Sequence, residues 1–452
     1  MAGPFRWLRI VAACGLLWLP VAIAAQTSSG PRLSLETAVA KALAHYPTIA
    51  AAAAGEVEAR AMLGVAQAAR RPDVLVRGSA TQYQKPWLVS PIHGFQAGLT
   101  PPFDQTLLQT VVSGTYTLFD GGARRAQIDQ ARLQVEASAA ASRSIEDVVI
   151  AQVVASYSRV LGRSRTLDAH DRRIAALDAE RNRLEQMRAA GRAADLEVLR
   201  VAAVLETARA ERVQIAEALD IAERDLARLV GAEPDETRAA RLDRLGLIDR
   251  HELDREALVA DAIGASPVLE AARHRQAGAE TAIRVAESGR WPQIQAAGNY
   301  FSFGSAAGHF SGEWNTGVQV VYPLFDGGAA GQRIARARAA RDVAAEQVRT
   351  VELQIRGEVD RALSALREAS ARLASIESAI LQFAEVVRIE KLRLDTGTGT
   401  QTDYLAAEAN LLGARATLAD VQFTEVVARV ELARATGLLD PATLSQLLTV
   451  QP

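Results

Sequence analysis

Two short stretches of the chain share the sequence Leu-Phe-Asp-Gly-Gly, and they decide how the chain is organised. The first, TYTLFDGGARRAQ, starts at Thr115, and the second, VYPLFDGGAAGQR, starts at Val321. Each follows an alternating apolar stretch and precedes more than a hundred residues without proline. Leu118–Gly122 therefore recurs as Leu324–Gly328, 206 residues later.

The surroundings of the motif recur as well. Matches continue at the offset of 206 towards the end of each copy: Gly191 with Gly397, Leu199 with Leu405 and Gly231 with Gly437. Upstream of the motif the offset is 220, for Pro47 with Pro267 and Pro72 with Pro292. The first copy therefore carries 14 extra residues between Pro72 and the motif. A repeat of this length predicts two structural copies rather than two unrelated domains.

The repeat sets the predicted domain boundaries. We expect a signal peptide at 1–25, a first repeat at 26–235, a linker at 236–252, a second repeat at 253–440 and a C-terminal tail at 441–452. Strands are expected at about 73–83 and 110–119 in the first repeat, and at about 293–301 and 314–324 in the second.

The first residues have the pattern of an export signal. Arg6 and Arg9 precede an apolar run at 10–23, which ends in an Ala-x-Ala cleavage pattern. The alternative is a membrane anchor, but the run is shorter than the roughly 20 residues that span a bilayer. Cys14, the single cysteine, lies in this segment, and the sequence leaves open whether it is lipidated. A cleaved chain would hold no disulfide and no thiolate metal site.

Hydrophobic periodicity divides each copy into strands and helices. Ile294, Ala296, Gly298 and Tyr300 alternate with polar or small residues, as in a strand with one apolar face. After each motif the period becomes helical, and a continuous helix up to Gly191 or Gly397 would be about 100 Å long. A second helix then returns to Gly231 or Gly437. Each copy is therefore predicted to read helix–strand–strand–long helix–helix.

The repeated motif has a physical explanation as a junction. The chain must leave a strand and enter a long helix at one point, where an aspartate can cap the helix and paired glycines allow unusual backbone angles. We interpret the motif as a purely structural strand-to-helix junction. Its residues are Asp120, Gly121, Gly122, Asp326, Gly327 and Gly328.

Composition argues against several function classes. The net charge of −2 gives no global attraction to nucleic acid. The six histidines are scattered without helical metal-ligand spacing, and no G-x-S-x-G nucleophile motif is present. We therefore predict no enzyme activity, no catalytic or metal site and no cofactor. The charged residues along the long helices are interpreted as solvated faces.

Four strands with one apolar face raise a problem in an exported protein. Membrane sheets must close, because unpaired edges are costly in lipid, and known barrels have at least eight strands. Either several chains pool their strands, or the sheet is not in a membrane.

The chain resembles the TolC family of outer-membrane efflux and secretion proteins. The resemblance rests on the duplicated element order, on PLFDGG in the second copy and on TGTGTQTDYLAAEANLLGARA from Thr396, and it covers nearly the whole mature chain. It implies a mainly α fold with a small β part: a homotrimer with a twelve-stranded barrel in outer-membrane lipid of a Gram-negative cell, continued by a long α-helical barrel in the periplasm. It also implies a periplasmic adaptor and an inner-membrane RND or ABC transporter as partners. The cargo (drug, metal or secreted protein) stays open.

The resemblance also implies roles for the turns between the paired helices. These turns would form the periplasmic tip that meets the adaptor: Gly191, Arg192, Gly397, Thr398, Gly399 and Thr400. Asp403 fits the family's T-x-x-D-x-L motif for a pore-facing aspartate, although Ala406 replaces a second family aspartate. Glu197, its counterpart in the first copy, and the nearby Asp195 would complete a pore constriction. The alternative is that these acids only stabilise helix N-termini.

A periplasmic coiled-coil adaptor or scaffold is the competing interpretation. Such a protein would also have an export signal and long helical hairpins. It would not need two alternating strands directly before the long helix in both copies.

Overall fold

The computed structural model describes residues 32–91, 93, 98, 100–242, 244–247 and 254–451. The predicted signal peptide and Cys14 lie outside these residues.

The described part of the chain follows the predicted duplicated order. In the first half the elements are β1 (Arg32–Leu33), α1 (Leu35–His45), α2 (Pro47–Ala68), β2 (Asp73–Leu88), β3 (Phe103–Phe119), α3 (Ala123–Ala189), α4 (Asp195–Val230), α5 (Pro234–Ala239), β4 (Arg241–Leu242) and β5 (Arg244–Leu247). In the second half they are α6 (Arg255–Ala265), α7 (Pro267–Ser288), β6 (Gln293–Gly304), β7 (Phe310–Val321), α8 (Ala329–Asp395), α9 (Gln401–Ala435), α10 (Pro441–Leu447) and β8 (Leu448–Gln451).

The two long helices confirm the prediction from the proline-free runs. α3 and α8 have 67 residues each, which corresponds to about 100 Å. Each begins after a left-handed glycine, Gly122 or Gly328. The returning helices α4 and α9 are followed by Gly231 and Gly437, which also have positive φ. Each copy therefore contributes one long antiparallel helical hairpin.

The four main strands form one antiparallel sheet in the order β2-β3-β6-β7. The first hairpin extends further than predicted, to Leu88 and from Phe103, so part of the 14-residue insertion lengthens the strands. Tyr83 and Trp87 stack there with ring centroids 4.9 Å apart, beside a register shift between Gln82 and Trp87. In the second hairpin β7 ends at Val321, earlier than the predicted 324.

The described parts of the predicted linker and tail contain short paired strands. β4 pairs in parallel with β1, and β5 pairs antiparallel with β8. The capping box of Asp440 and Thr443 starts α10. The segments outside the two repeats therefore pair with each other or with the start of the first repeat.

The main apolar core surrounds the middle of α3. Val153, Val154 and Tyr157 are fully buried there against residues of α1, α4 and α9. The Tyr157 hydroxyl donates to the carbonyl oxygen of Leu33 at 2.9 Å, which ties β1 to this core. A second core joins α6, α7, α8 and α9. Among the described residues, no helix combines the length and the apolar character needed to cross a membrane.

Candidate functional site

The turn between α3 and α4, the first of the two tip turns, begins with a glycine that ends α3. Gly191 has a φ of +73°, which costs a residue with a side chain more than it costs glycine. The amide of Gly191 donates to the carbonyl of Arg188 at 2.9 Å, and the amide of Arg192 donates to that of Met187 at 2.8 Å. These bonds satisfy carbonyl groups that the helix end would leave free. The turn is short and exposed.

The second turn repeats this arrangement and is tighter. Gly397 also has a φ of +73°, and the amides of Thr398 and Gly399 both donate to the carbonyl of Arg393 at 2.9 Å. A Cβ on Gly399 would lie 2.8 Å from the Cβ of Arg393. Gly399 is therefore required by close packing of the turn against the end of α8.

Asp403 takes part in the cap of α9. Its amide donates to the Thr400 hydroxyl oxygen at 3.2 Å, and that hydroxyl donates to the Asp403 carboxylate at 2.8 Å. The side chain of Asp403 is exposed. The helix-end role is thus present in the structure, and the carboxylate still faces open space.

The tips of the two copies lie side by side. Arg200 of α4 donates to the Thr402 hydroxyl of α9 at 3.0 Å. Leu405 packs against the apolar tip cluster of α3 and α4, which includes Leu184 and Val201. The structure therefore brings the first turns of α4 and α9 to the same end of the molecule.

The other two acids differ in their surroundings. Glu197 is half-buried in the first turn of α4, which has no side-chain cap. Asp195 is exposed and lies 3.5 Å from a guanidinium nitrogen of Arg188. Asp195 therefore forms an ion pair with Arg188, whereas the carboxylate of Asp403 is hydrogen-bonded by a hydroxyl group.

Sequence reasoning missed a polar network behind the tip. Arg183 of α3 donates two hydrogen bonds to Glu180, at 2.7 and 2.8 Å, and this holds the pKa of Glu180 below its usual value. Tyr404 of α9 donates to Glu408 at 3.1 Å, and burial with nearby acids raises the pKa of Tyr404 to about 12. The only sequence signals were helical spacings of three and four residues, which are common on any exposed helix.

Sequence reasoning also missed a buried charge farther along α9. Glu425 is 3% exposed and accepts hydrogen bonds from Ser370 at 3.0 Å and from Arg429 at 3.1 Å. Both hydrogen bonds reach the same carboxylate oxygen, Oε1, and they offset part of the cost of burying the charge between α8 and α9. Within the described part of the chain, no group of three or more histidine, cysteine, aspartate or glutamate side chains could hold a metal ion.

In both junction motifs the aspartate accepts hydrogen bonds from backbone amides at the start of the long helix. Asp120 accepts from the amides of Gly122 and Arg124 at 3.0 and 3.1 Å. Asp326 accepts from those of Gly328 and Ala330 at 3.1 and 2.6 Å. The paired glycines have positive φ in both copies. The geometry is that of a structural junction.

The duplicated helical hairpins and the four-stranded sheet are the fold of the outer-membrane channel proteins of the TolC class. The family description "Outer membrane efflux protein" matches residues 38–232 and 258–438. The chain therefore belongs to the outer membrane efflux protein family, which is a family of channels rather than of enzymes.

Known proteins agree with this assignment. The chain is 27% identical to outer membrane protein OprJ of Pseudomonas aeruginosa over 329 residues, which cover 68% of this chain and 65% of OprJ. It is 27% identical to protein CyaE of Bordetella pertussis over 316 residues, covering 67% and 65% of the two chains. The matches thus span slightly less than two thirds of these relatives. The fold is similar to that of the outer membrane protein VceC of Vibrio cholerae, with a TM-score of 0.74, 22% identity and coverage of 89% and 96%.

Proposed function

We propose that this chain is the exit duct of a tripartite efflux pump or a type I secretion system. Three copies assemble into a twelve-stranded barrel in the outer membrane, and their six helical hairpins continue it as a tube across the periplasm. Substrates pass through without chemical change. The observation that carries the proposal is the four-stranded sheet with β2 and β7 at its edges, joined directly to two hairpins of about 100 Å.

The sheet cannot be stable in lipid as a single chain. Unpaired backbone groups in a bilayer cost several kcal/mol each, so a membrane sheet has to close on itself. Three chains with four strands each give a closed barrel of a size that the outer membrane accommodates. Family membership supports the same assembly.

The partners follow from the position of the turns. An adaptor that links the duct to an inner-membrane RND or ABC transporter docks on the periplasmic tip, where Gly191, Arg192 and the residues from Gly397 to Thr400 lie. Small and polar residues at these turns allow another helical hairpin to approach closely. The contacts between the two tips support a single docking surface made by both copies of the repeat.

The tip carboxylates give the duct a charged entrance. In a trimer, Asp403 and Glu197 contribute six carboxylates around one opening, and Asp195 adds charge beside them. Like charges gathered at close range attract cations. The hydrogen bond from Thr400 fixes one oxygen of Asp403 and leaves the side chain exposed, so the capping role and the pore role are compatible.

The docking surface can be tested by cross-linking in cells. Cysteines at the exposed positions Arg192 and Thr398 should form cross-links to the adaptor of the same transport system, because these turns meet it end-on. Cysteine at Asp254, at the start of α6, is the matched control and should not react. Cross-links from Asp254 alone would contradict end-on docking and indicate a partner that binds at the side.

A further inference from the structure

A histidine interrupts the apolar seam between α3 and α4. Leu177 and Leu184 follow His170 at intervals of seven residues and belong to the apolar tip cluster. His170 is 8% exposed, and among the described residues its buried Nδ1 atom has no hydrogen-bond partner. Burial of a polar group without a partner is costly, and burial of a charge costs more. The seam therefore accepts the neutral ring more readily than the protonated one.

Two ion pairs between the helices flank this histidine. Arg173 of α3 donates to Glu211 of α4 at 3.3 Å, and Arg212 of α4 donates to Asp171 of α3, also at 3.3 Å for one of its two hydrogen bonds. Burial lowers the pKa of His170 below its ordinary value. The two carboxylates oppose this shift, and the positive charge of Arg173 adds to it. Both acids near the ring are thus already paired with arginine.

α9 is the other helix that packs along this part of α3. Arg165 of α3 donates to Gln422 at 2.8 Å, and Leu405 packs farther on, at the tip cluster, so α9 runs antiparallel to α3. His170 is therefore level with roughly 411–417 of α9. The one charged residue in that stretch, Arg415, is exposed. The charges that act on the ring at close range are those of α3 and α4.

The second copy of the repeat has a different seam at this level. At the offset of 206, the histidine and the two arginines of the flanking ion pairs all correspond to apolar residues: His170 to Ile376, Arg173 to Ala379 and Arg212 to Leu418. The flanking ion pairs have no equivalent between α8 and α9, and no group there can take up a proton at the position of the histidine. Protonation at this level is therefore a property of the first hairpin alone.

We propose that His170 makes the first helical hairpin sensitive to acid: on protonation of its ring the seam between α3 and α4 loosens, while the second hairpin stays closed. The imidazolium ring has two N–H donors and needs an acceptor for each. The nearby acids are held by Arg173 and Arg212, so the charged ring has to leave the seam or displace one of these arginines. The proposal goes beyond the proposed duct and does not depend on what passes through it.

The direction of the effect follows from the state that binds the proton more tightly. Because burial holds the pKa of His170 below its ordinary value, the locally opened chain binds the proton more tightly than the closed chain does. The contribution of the neutral ring to stability is complete above the ordinary histidine pKa of about 6.5. It is lost progressively as the pH falls below that value.

The position of the histidine gives the loosening a consequence at the tip. His170 lies 19 residues before Ala189, the last residue of α3, which corresponds to about 28 Å along the helix. The apolar tip cluster and the turn at Gly191 lie beyond it. A loosened seam would give the first tip more freedom relative to the second, to which Arg200 and Thr402 join it.

Hydrogen exchange of the protein in detergent tests the proposal at the level of single segments. The amides at 163–177 and 205–217, on both sides of the seam, should exchange about threefold or more faster near pH 5 than near pH 7.5, after correction for the chemical effect of pH on exchange. The amides at 369–383 in the second hairpin, the counterparts of 163–177, are the internal control and should show no such difference. A local readout is needed because other groups titrate over the same range.

Two variants remove the proton acceptor. His170→Ile introduces the residue that the second copy has at this position, and His170→Gln keeps a polar side chain that stays neutral near pH 5. Both should give the same corrected exchange at the two pH values. His274→Gln is the matched control, because His274 lies between α3 and α7, with its Nδ1 atom 3.1 Å from Glu136. This control should keep the full acid response at 163–177.

Three results would overturn the proposal. The first is equal corrected exchange at both pH values in the parent protein. The second is an acid response at 163–177 that persists in both His170 variants. The third is a response of the same size at 369–383, which would indicate a general effect of acid on the helices. Loss of the response in both His170 variants, with the His274 variant unchanged, would support it.

Discussion

Single residues at the tip are constrained by backbone geometry more than by chemistry. Gly397 ends α8 with a positive φ, and Gly399 leaves room for the side chain of Arg393. Thr400 and Asp403 then start α9 through two mutual hydrogen bonds. The sequence predicted that the two glycines and Thr400 lie in the turn, but the contact between Gly399 and Arg393 depends on how the turn folds back. No local pattern encodes that distance.

Replacement of Gly399 by alanine should loosen the second tip turn. The added Cβ would overlap the Cβ of Arg393 at 2.8 Å, and such overpacking costs typically about 1–3 kcal/mol. Hydrogen exchange of the amides at 393–403 should become faster. Gly413→Ala, inside α9 with free space around the new methyl group, is the control and should slow exchange or leave it unchanged. Unchanged exchange in the Gly399 variant would contradict the packing constraint.

Removal of the tip carboxylates should reduce cation selectivity. The double variant Asp403→Ala with Glu197→Ala removes six charges from the proposed trimer, so the cation-to-anion permeability ratio in a planar bilayer should fall about twofold or more. Block by polyvalent cations should weaken with it.

Thr400→Ala provides the control for this experiment. It removes the cap of α9, worth about 1 kcal/mol, but keeps the charge, and selectivity should stay near that of the parent. If the double variant assembles normally and its selectivity and block are unchanged, the carboxylates have only the helix-end role.

Whole elements were predicted better than the contacts between them. Proline-free runs and glycine positions were sufficient for α3, α4, α8 and α9, because helices depend on local sequence. The ends of β7 could not be predicted in the same way, since a strand ends where its partner ends. The same reason explains why no strand was predicted in the linker at 236–252 or in the tail at 441–452: β5 and β8 are short, and their pairing joins residues about 200 positions apart.

Packing between helices also raises the pKa of one carboxyl group, that of Asp147. Asp147 of α3 lines a small cavity of about 50 Å³ together with Glu358 of α8 and Arg434 of α9. Burial, with Glu146 nearby, raises the pKa of Asp147 to about 6, although Arg434 and Arg143 oppose the shift. A carboxyl with a raised pKa binds its proton more tightly in the folded chain. Its contribution to stability is therefore present at low pH and is lost as the pH rises from about 4 to about 6.

Asp147→Asn should remove this pH dependence. The variant cannot ionise, so at pH 7.5 it should be more stable than the parent by roughly 1 kcal/mol, a value reduced for the partial exposure of the group. The gain should disappear below about pH 4. Thermal unfolding in detergent between pH 4 and 8 measures the difference, with Asp420→Asn on the exposed face of α9 as control. A stability difference that does not vary with pH would rule out this titration.

At the scale of the molecule, the chain consists of two copies of one repeat, and their four main strands form an open sheet. The pairing of β3 with β6 joins the halves inside the chain, and among the described residues the outer edges of β2 and β7 have no strand partner. The two copies could be predicted from the sequence because matching residues recur at offsets of 206 and 220. The sequence could not predict the tip contacts of Arg200 and Leu405, which arise only when both copies stand side by side.

The central claim is that three chains close these edges to form a conducting duct. The most direct test is to purify the protein in detergent, determine its mass by native mass spectrometry, and record its conductance in a planar bilayer. The account predicts a complex of three chains that inserts and gives discrete conductance steps. A stable monomer in detergent that gives no conductance would contradict it.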